Sequence, residues 1–305
     1  MQPNPVLRRL GFSDTDRVAI IHTDDIGMNY SSVGAFADLW EFGLISSGAV
    51  MIPCPWALKA AEYAREHPQA DLGVHSTLTS EWKTYRWGPI STRDPRSGMV
   101  DEEGFFYHQT NQAQSHADPA CVQVELEAQI QHAVRMGIQP THIDTHMGVV
   151  GALQLIPVYL KVALAHRLPP MAFRMSIGDW QARGMDLPAA ETATALMSQL
   201  EAMGLPLLDA IHGLDLGQPE SSFEQAKQAF ASLKPGITHF IIHPAKDSPD
   251  LREIAPDWRA RVANYETFLR SDLRDFVKDQ GVQVIGYRAL QALMPDPSIV
   301  SALPF

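Results

Sequence analysis

Short apolar runs return along this chain about eight times, and most are followed by a longer stretch with helical spacing. The runs are RVAII (17–21), LISSGAVMI (44–52), DLGVHSTL (71–78), THIDT (141–145), MAFRMS (171–176), LPLLDAI (205–211), ITHFIIH (237–243) and VQVIGY (282–287). Runs of this length suit buried strands. Between them lie segments such as PWALKAAEYAREH and PACVQVELEAQIQHAVRMG, with apolar residues at i, i+3 and i+4. Gly43, Gly137, Gly204 and Gly281 stand where such helices would end. Repeated strand-then-helix units imply a parallel sheet covered by helices. At 305 residues the best expectation is an α/β fold, a single distorted TIM-like (β/α) barrel over residues 1–305. An open doubly wound sheet is the alternative.

One segment breaks the rhythm. Residues 79–118 show no clear periodicity yet carry Trp82, Tyr85, Trp87, Phe105, Phe106 and Tyr107. A long aperiodic stretch inside a compact domain is usually functional or disordered, and this much aromatic content argues for order. We expect an inserted loop at the barrel mouth after the third strand. It would wall the substrate cleft or reach the cleft of a partner subunit in a homodimer.

Composition excludes several function classes. The formal net charge of −11 disfavours nucleic acid and anionic membrane surfaces as partners. No run approaches the roughly 18 apolar residues of a membrane-spanning helix. The first residues contain no apolar core of signal-peptide length. Cys54 and Cys121 are too few for a disulfide scaffold and form no CxxC pair. A reduced, cytoplasmic protein is expected.

In a parallel barrel the site lies where the strands end at their C-termini. Asp24 and Asp25 follow the first run and His75 lies near the end of the third. His142, Asp144 and His146 belong to the fourth, Arg174 to the fifth, Asp209 and His212 to the sixth and His243 to the seventh. Each has a bland explanation alone; the recurrence at strand after strand does not. Two imidazoles and a carboxylate form a common divalent-metal set with open positions for water and substrate. That set also explains two adjacent aspartates. One can bind the cation while the other stays ionised beside it as a base.

RVAIIHTDDIGMN, LGVHSTLT, PTHIDTH and the late HPAKD resemble the motifs of the YdjC-like (ChbG-type) carbohydrate deacetylases, in order and approximate spacing. The resemblance covers most of the chain. It implies a barrel that removes N-acetyl groups from amino sugars or oligosaccharides with one divalent metal, Zn²⁺ or Mg²⁺. Position by position, it implies Asp24 as catalytic base, Asp25, His75 and His146 as metal ligands and His243 as general acid. The family's THxDSHxHVH reads THIDTHMGVV here, with Gly148 and Val150 in place of histidines. Its ADDFG reads TDDIG.

Further roles are open. His142 and Asp144 would orient ligands. Arg174 would hold a substrate group or a catalytic aspartate, or be structural; His212 would join the site or be structural. Trp82 and Trp87 would stack on a sugar ring or plug the barrel mouth. Two rival functions keep the same residues: a metal hydrolase cutting another amide, an ester or a glycosidic bond, and a non-catalytic carbohydrate-binding barrel.

Overall fold

The computed structural model describes residues 2–298, so residue 1 and residues 299–305 of the expected unit lie outside the described residues. Seven strands form one sheet. They are β1 (Arg17–Ile26), β2 (Ser47–Val50), β3 (Leu72–Ser76), β4 (Ile143–Thr145), β5 (Ala210–Gly213), β6 (Gly236–Ile242) and β7 (Gln283–Val284). Every pairing is parallel, in the order β4-β3-β2-β1-β6-β5. β7 lies beside the first half of β1, at Val18 and Ala19.

The sheet curls into a half-barrel whose edge strands, β4 and β5, do not pair with each other. Isolated parallel bridges join Ile143 to Pro170 and Phe173 to Leu208, so residues 170–173 link β4 to the chain entering β5. The expected fifth strand is thereby corrected to a bridging segment. Pro169 and Pro170 have no N–H to give a ladder, and only isolated bridges form. The eighth run is corrected too: it shrinks to the two residues of β7, because the helix Tyr287–Gln291 begins immediately after Gly286.

Strand alternation assigns the two faces. Val18, Ile20 and His22 pair with Ile237, His239 and Ile241 on one face of β1 and β6. Val18, Ile20 and Ile237 cluster with Phe173, Leu208 and Tyr287 inside the curl. Ile21 and Ile242, from the other face, join the large core beneath the helices, where Phe240 stacks on Phe230 at 4.4 Å. Each fully buried side chain of this size stabilises by about 1.5–3 kcal/mol relative to exposure.

Helices close where the glycines stand. Tyr30–Phe42 ends on Gly43 (φ 81°) and Pro119–Met136 on Gly137 (φ 97°), both left-handed C-caps. Both cysteines are free thiols. Among the described residues no helix is long and apolar enough to cross a membrane.

Candidate metal centre

Side chains of consecutive strand residues point to opposite faces, so Asp24 and Asp25 cannot share a site on a regular strand. β1 solves this with a register shift between Thr23 and Ile26. Asp25 sits at φ 60°, a left-handed conformation that aspartate tolerates better than most residues. Both carboxylates then face the same cavity. It measures about 260 Å³ and is also lined by His75, Glu81, Trp82, His146, His243 and Arg261.

β3 and β4 place His75 opposite Asp144 in register. His75 Nδ1 bonds Asp144 Oδ1 at 2.8 Å, which turns Nε2 toward the aspartates. That nitrogen stands 3.4 Å from Asp25 Oδ1 and 3.8 Å from Asp24 Oδ2. His146 follows β4 on a turn in which Met147 and Gly148 are both left-handed. Its Nδ1 lies 3.0 Å from Asp25 Oδ1 and its Nε2 lies 3.0 Å from Glu81 Oε2.

Asp25 Oδ1 and His75 Nε2 are buried without a hydrogen-bond partner. Such orphans are rare and call for an explanation. A cation supplies one. Ligand atoms about 2.1 Å from a single zinc stand about 3.4 Å apart in a tetrahedron. Asp25, His75 and His146 offer ligand atoms within 4.8 Å of one another. The residues present fit a divalent ion. Asp25 Oδ2 is meanwhile fixed by Arg261, whose Nη1 donates to it at 2.7 Å and whose Nε donates to Asp257 at 3.0 Å.

His22, Asp24, Asp144 and His239 also bring ligand atoms together. Three of the four imidazole nitrogens are hydrogen-bonded, and His239 Nε2 is buried without a partner. His22 Nδ1 bonds Asp24 Oδ1 at 2.7 Å and its Nε2 contacts His142 Nε2 at 2.8 Å. Tyr287 Oη bonds His239 Nδ1 at 2.9 Å. We read this group as a hydrogen-bonded layer beneath Asp25, His75 and His146.

The electrostatics follow from burial and pairing. Burial opposes charge on Asp24, but His75, His22 and His243 outweigh it and hold the carboxyl below its ordinary range. Burial likewise opposes charge on Asp25, and Arg261 and His146 overcome it. Burial pulls the His146 imidazole down, yet Glu81 and Asp25 hold it up at about 9. His243 goes the other way: burial keeps it below the ordinary imidazole range despite the nearby aspartates. Its Nε2 lies 3.8 Å from Asp24 Oδ2, and its backbone N–H donates to Asn264 at 3.0 Å.

Other expected residues are elsewhere. Arg174 does not reach the centre: it pairs with Glu201 at 2.6 Å and Asp209 at 2.9 Å. His212 shares with it a separate cavity of about 800 Å³. His212 pairs in register with Phe240, so its side chain faces the helix layer and not the barrel interior. Trp82 lines the cavity of Asp24 and Asp25, and the Arg261 guanidinium carbon stands 5.5 Å from the Trp82 ring centroid. Of the two roles open to Trp87, its surroundings match packing in the core. It is 3% exposed and its Nε1 donates to Thr79 O at 2.7 Å.

Glu81, Arg261, His22 and His239 belong to the site and escaped the sequence reading. His22 had a legible signal, since Val18, Ile20, His22 and Asp24 alternate along one strand face. Glu81 and Arg261 come from a loop and a helix whose positions no local pattern reveals.

A curled parallel α/β sheet carries buried aspartates and histidines at its C-terminal rim, in a group that could hold a metal ion. The chain belongs to the YdjC-like protein family, whose model matches residues 18–279. It is 31% identical over 269 residues to a carbohydrate deacetylase of Thermus thermophilus, covering 88% of this chain and 92% of that protein. A carbohydrate deacetylase of Thermoanaerobacter pseudethanolicus is 22% identical over 272 residues, covering 89% and 98%. A crystal structure from Enterococcus faecalis V583, described provisionally as a cellobiose-phosphate cleavage protein, superposes with a TM-score of 0.74 at 23% identity. It covers 90% of this chain and 99% of that one.

Proposed function

We propose that this protein is a metal-dependent hydrolase that removes N-acetyl groups from amino sugars or their oligosaccharides. One observation carries the reading. A carboxylate with a free oxygen, Asp24, stands beside a buried Asp–His–His set that has orphaned ligand atoms. Asp25, His75 and His146 would hold one divalent ion, and their nitrogen-rich character suits Zn²⁺ better than Mg²⁺. When bound, that ion supplies Lewis acidity toward the amide carbonyl and an attacking water.

The chain's own groups do the rest. His22 occupies Asp24 Oδ1, so Oδ2 is left to take the proton of the attacking water. His243 faces that same oxygen at 3.8 Å. Burial keeps His243 neutral beforehand, so it can receive this proton and pass it to the departing amine nitrogen. Arg261 holds Asp25 in place and neutralises part of the carboxylate charge. Glu81 orients His146 from the far nitrogen. Residues 79–118 supply Glu81 and Trp82 to the cavity, and we assign this segment to one cleft wall of a single catalytic domain. Two unpaired thiols fit a reducing compartment, and we place the enzyme in the cytoplasm.

The test joins metal analysis to acetate release over N-acetylated mono- and oligosaccharides. Asp24→Asn should keep one metal per chain and lose about 10²–10⁴-fold in kcat. Loss of metal in that variant would mean that the two aspartates have exchanged roles.

A further inference from the structure

Beneath the metal centre a chain of side chains crosses the barrel interior. Asp24 Oδ1 meets His22 Nδ1 at 2.7 Å, and His22 Nε2 meets His142 Nε2 at 2.8 Å. His142 Nδ1 meets Thr141 Oγ1 at 3.0 Å, and Thr141 Oγ1 meets Asp71 Oδ1 at 2.5 Å. All five side chains are buried. The packing leaves His142 little freedom: the Tyr287 ring stacks on it at 3.9 Å, and a Cβ at Gly73 would sit 2.5 Å from its ring.

A hydrogen count decides the direction. The chain has four links, and each needs one hydrogen. His22, His142 and Thr141, if neutral, supply one each. A fourth must sit on an imidazole or at an end. Asp71 is the place that geometry favours. Its Oδ2 accepts the Arg288 backbone N–H at 2.7 Å and its Oδ1 the Ser47 hydroxyl at 3.0 Å. The Arg288 guanidinium turns away, to the carbonyls of Pro68 and Ala70. Among the described residues the Arg288 charge and the Tyr287 hydroxyl act on Asp71 electrostatically, and His142 Nδ1 stands 3.8 Å from its Oδ1. A buried carboxylate lacking a direct cation partner is costly, and protonation removes that cost. Burial raises the Asp71 carboxyl, while hydrogen bonds from Thr141, the Arg288 N–H and Ser47 and the Arg288 charge act against the rise.

We propose that Asp71 is a positioning residue for Asp24: as a neutral acid it sets a one-way chain of hydrogen bonds through Thr141, His142 and His22 that ends on Asp24 Oδ1. Each member donates to the next toward the metal centre. His142 then carries its hydrogen on Nε2 and His22 on Nδ1. Aligned bonds of this kind strengthen one another in a low-dielectric interior. The result is a fixed carboxylate with Oδ1 occupied and Oδ2 free. Its catalytic value rests on the reading of Asp24 as the base; the hydrogen-bond direction does not.

Long-range ¹⁵N–¹H NMR of histidine-labelled full-length protein reads the tautomers without any assay of activity. The expected result is His142 as the Nε2–H form and His22 as the Nδ1–H form. His142 protonated on Nδ1 in the wild-type protein would overturn the proposal. In acetate release, Thr141→Val and Asp71→Leu should each lower kcat about tenfold or more at constant KM. Asp71→Asn should recover most of that loss and keep both tautomers, since its amide N–H can replace the acid O–H toward Thr141. If Asp71→Asn instead matched Asp71→Leu, an ionised Asp71 would be indicated and the proposal would fail. Correct tautomers in a protein that released no acetate would uphold the chain and refute the deacetylase reading alone.

Discussion

Asp25 and Asp209 make an instructive pair. Both are acids at strand ends in the sequence, and both are held by a buried or half-buried arginine. Asp209 is saturated: Arg174 and Asn4 reach it at 2.9 and 2.7 Å, and the Ile237 N–H at 2.8 Å. It ties the chain start, β5 and β6 together. Asp25 accepts Arg261 on one oxygen and leaves the other orphaned beside two imidazoles. A saturated carboxylate is structural, because nothing is left for a ligand. An unsatisfied one held at φ 60° carries a cost that only a partner offsets.

That contrast can be broken by substitution. The largest effect should come from Asp25→Asn. Metal content should fall from one ion per chain to none, with activity down by about 10²-fold or more. Asp209→Asn should keep its metal. Equal metal loss in both variants, measured by elemental analysis, would erase the distinction. Trp87→Ala comes next: it empties a core site and should cost about 3–5 kcal/mol in denaturant unfolding, with KM unchanged in the folded fraction. Arg174→Ala should cost about 1–3 kcal/mol of stability and leave metal binding and KM alone, since its partners are Glu201 and Asp209. The smallest effect belongs to Trp82→Ala. Loss of a cavity-wall aromatic should raise KM by about fivefold, ~1 kcal/mol, more than it lowers kcat. If Trp87→Ala raised KM and Trp82→Ala did not, the two tryptophans would have been assigned the wrong way round.

Much of this was legible before any coordinates. Apolar runs and helical spacing imply the parallel α/β sheet, and the motifs put Asp25, His75 and His146 at the ends of β1, β3 and β4, of which β3 and β4 are neighbours while β2 stands between β1 and β3. What stayed hidden depends on register and on distant chain segments. His239 looks like one polar residue in an apolar strand until pairing sets it opposite Ile20 and beside His22. Arg261 lies 236 positions from the aspartate that it fixes. For Arg174 and His212 a site role and a structural one both stay open in the sequence, because a strand-end position says nothing of which face a side chain takes. Pro169 and Pro170 were in plain view, and their missing donors should have weakened the fifth strand.

Anomalous diffraction from crystals equilibrated with Zn²⁺ tests the centre most directly. The account requires one strong peak bound by Asp25, His75 and His146 at about 2.0–2.2 Å, with Asp24 Oδ2 outside the ligand set. A peak at the His22–Asp24–Asp144–His239 group, or no peak within reach of all three residues, would contradict it.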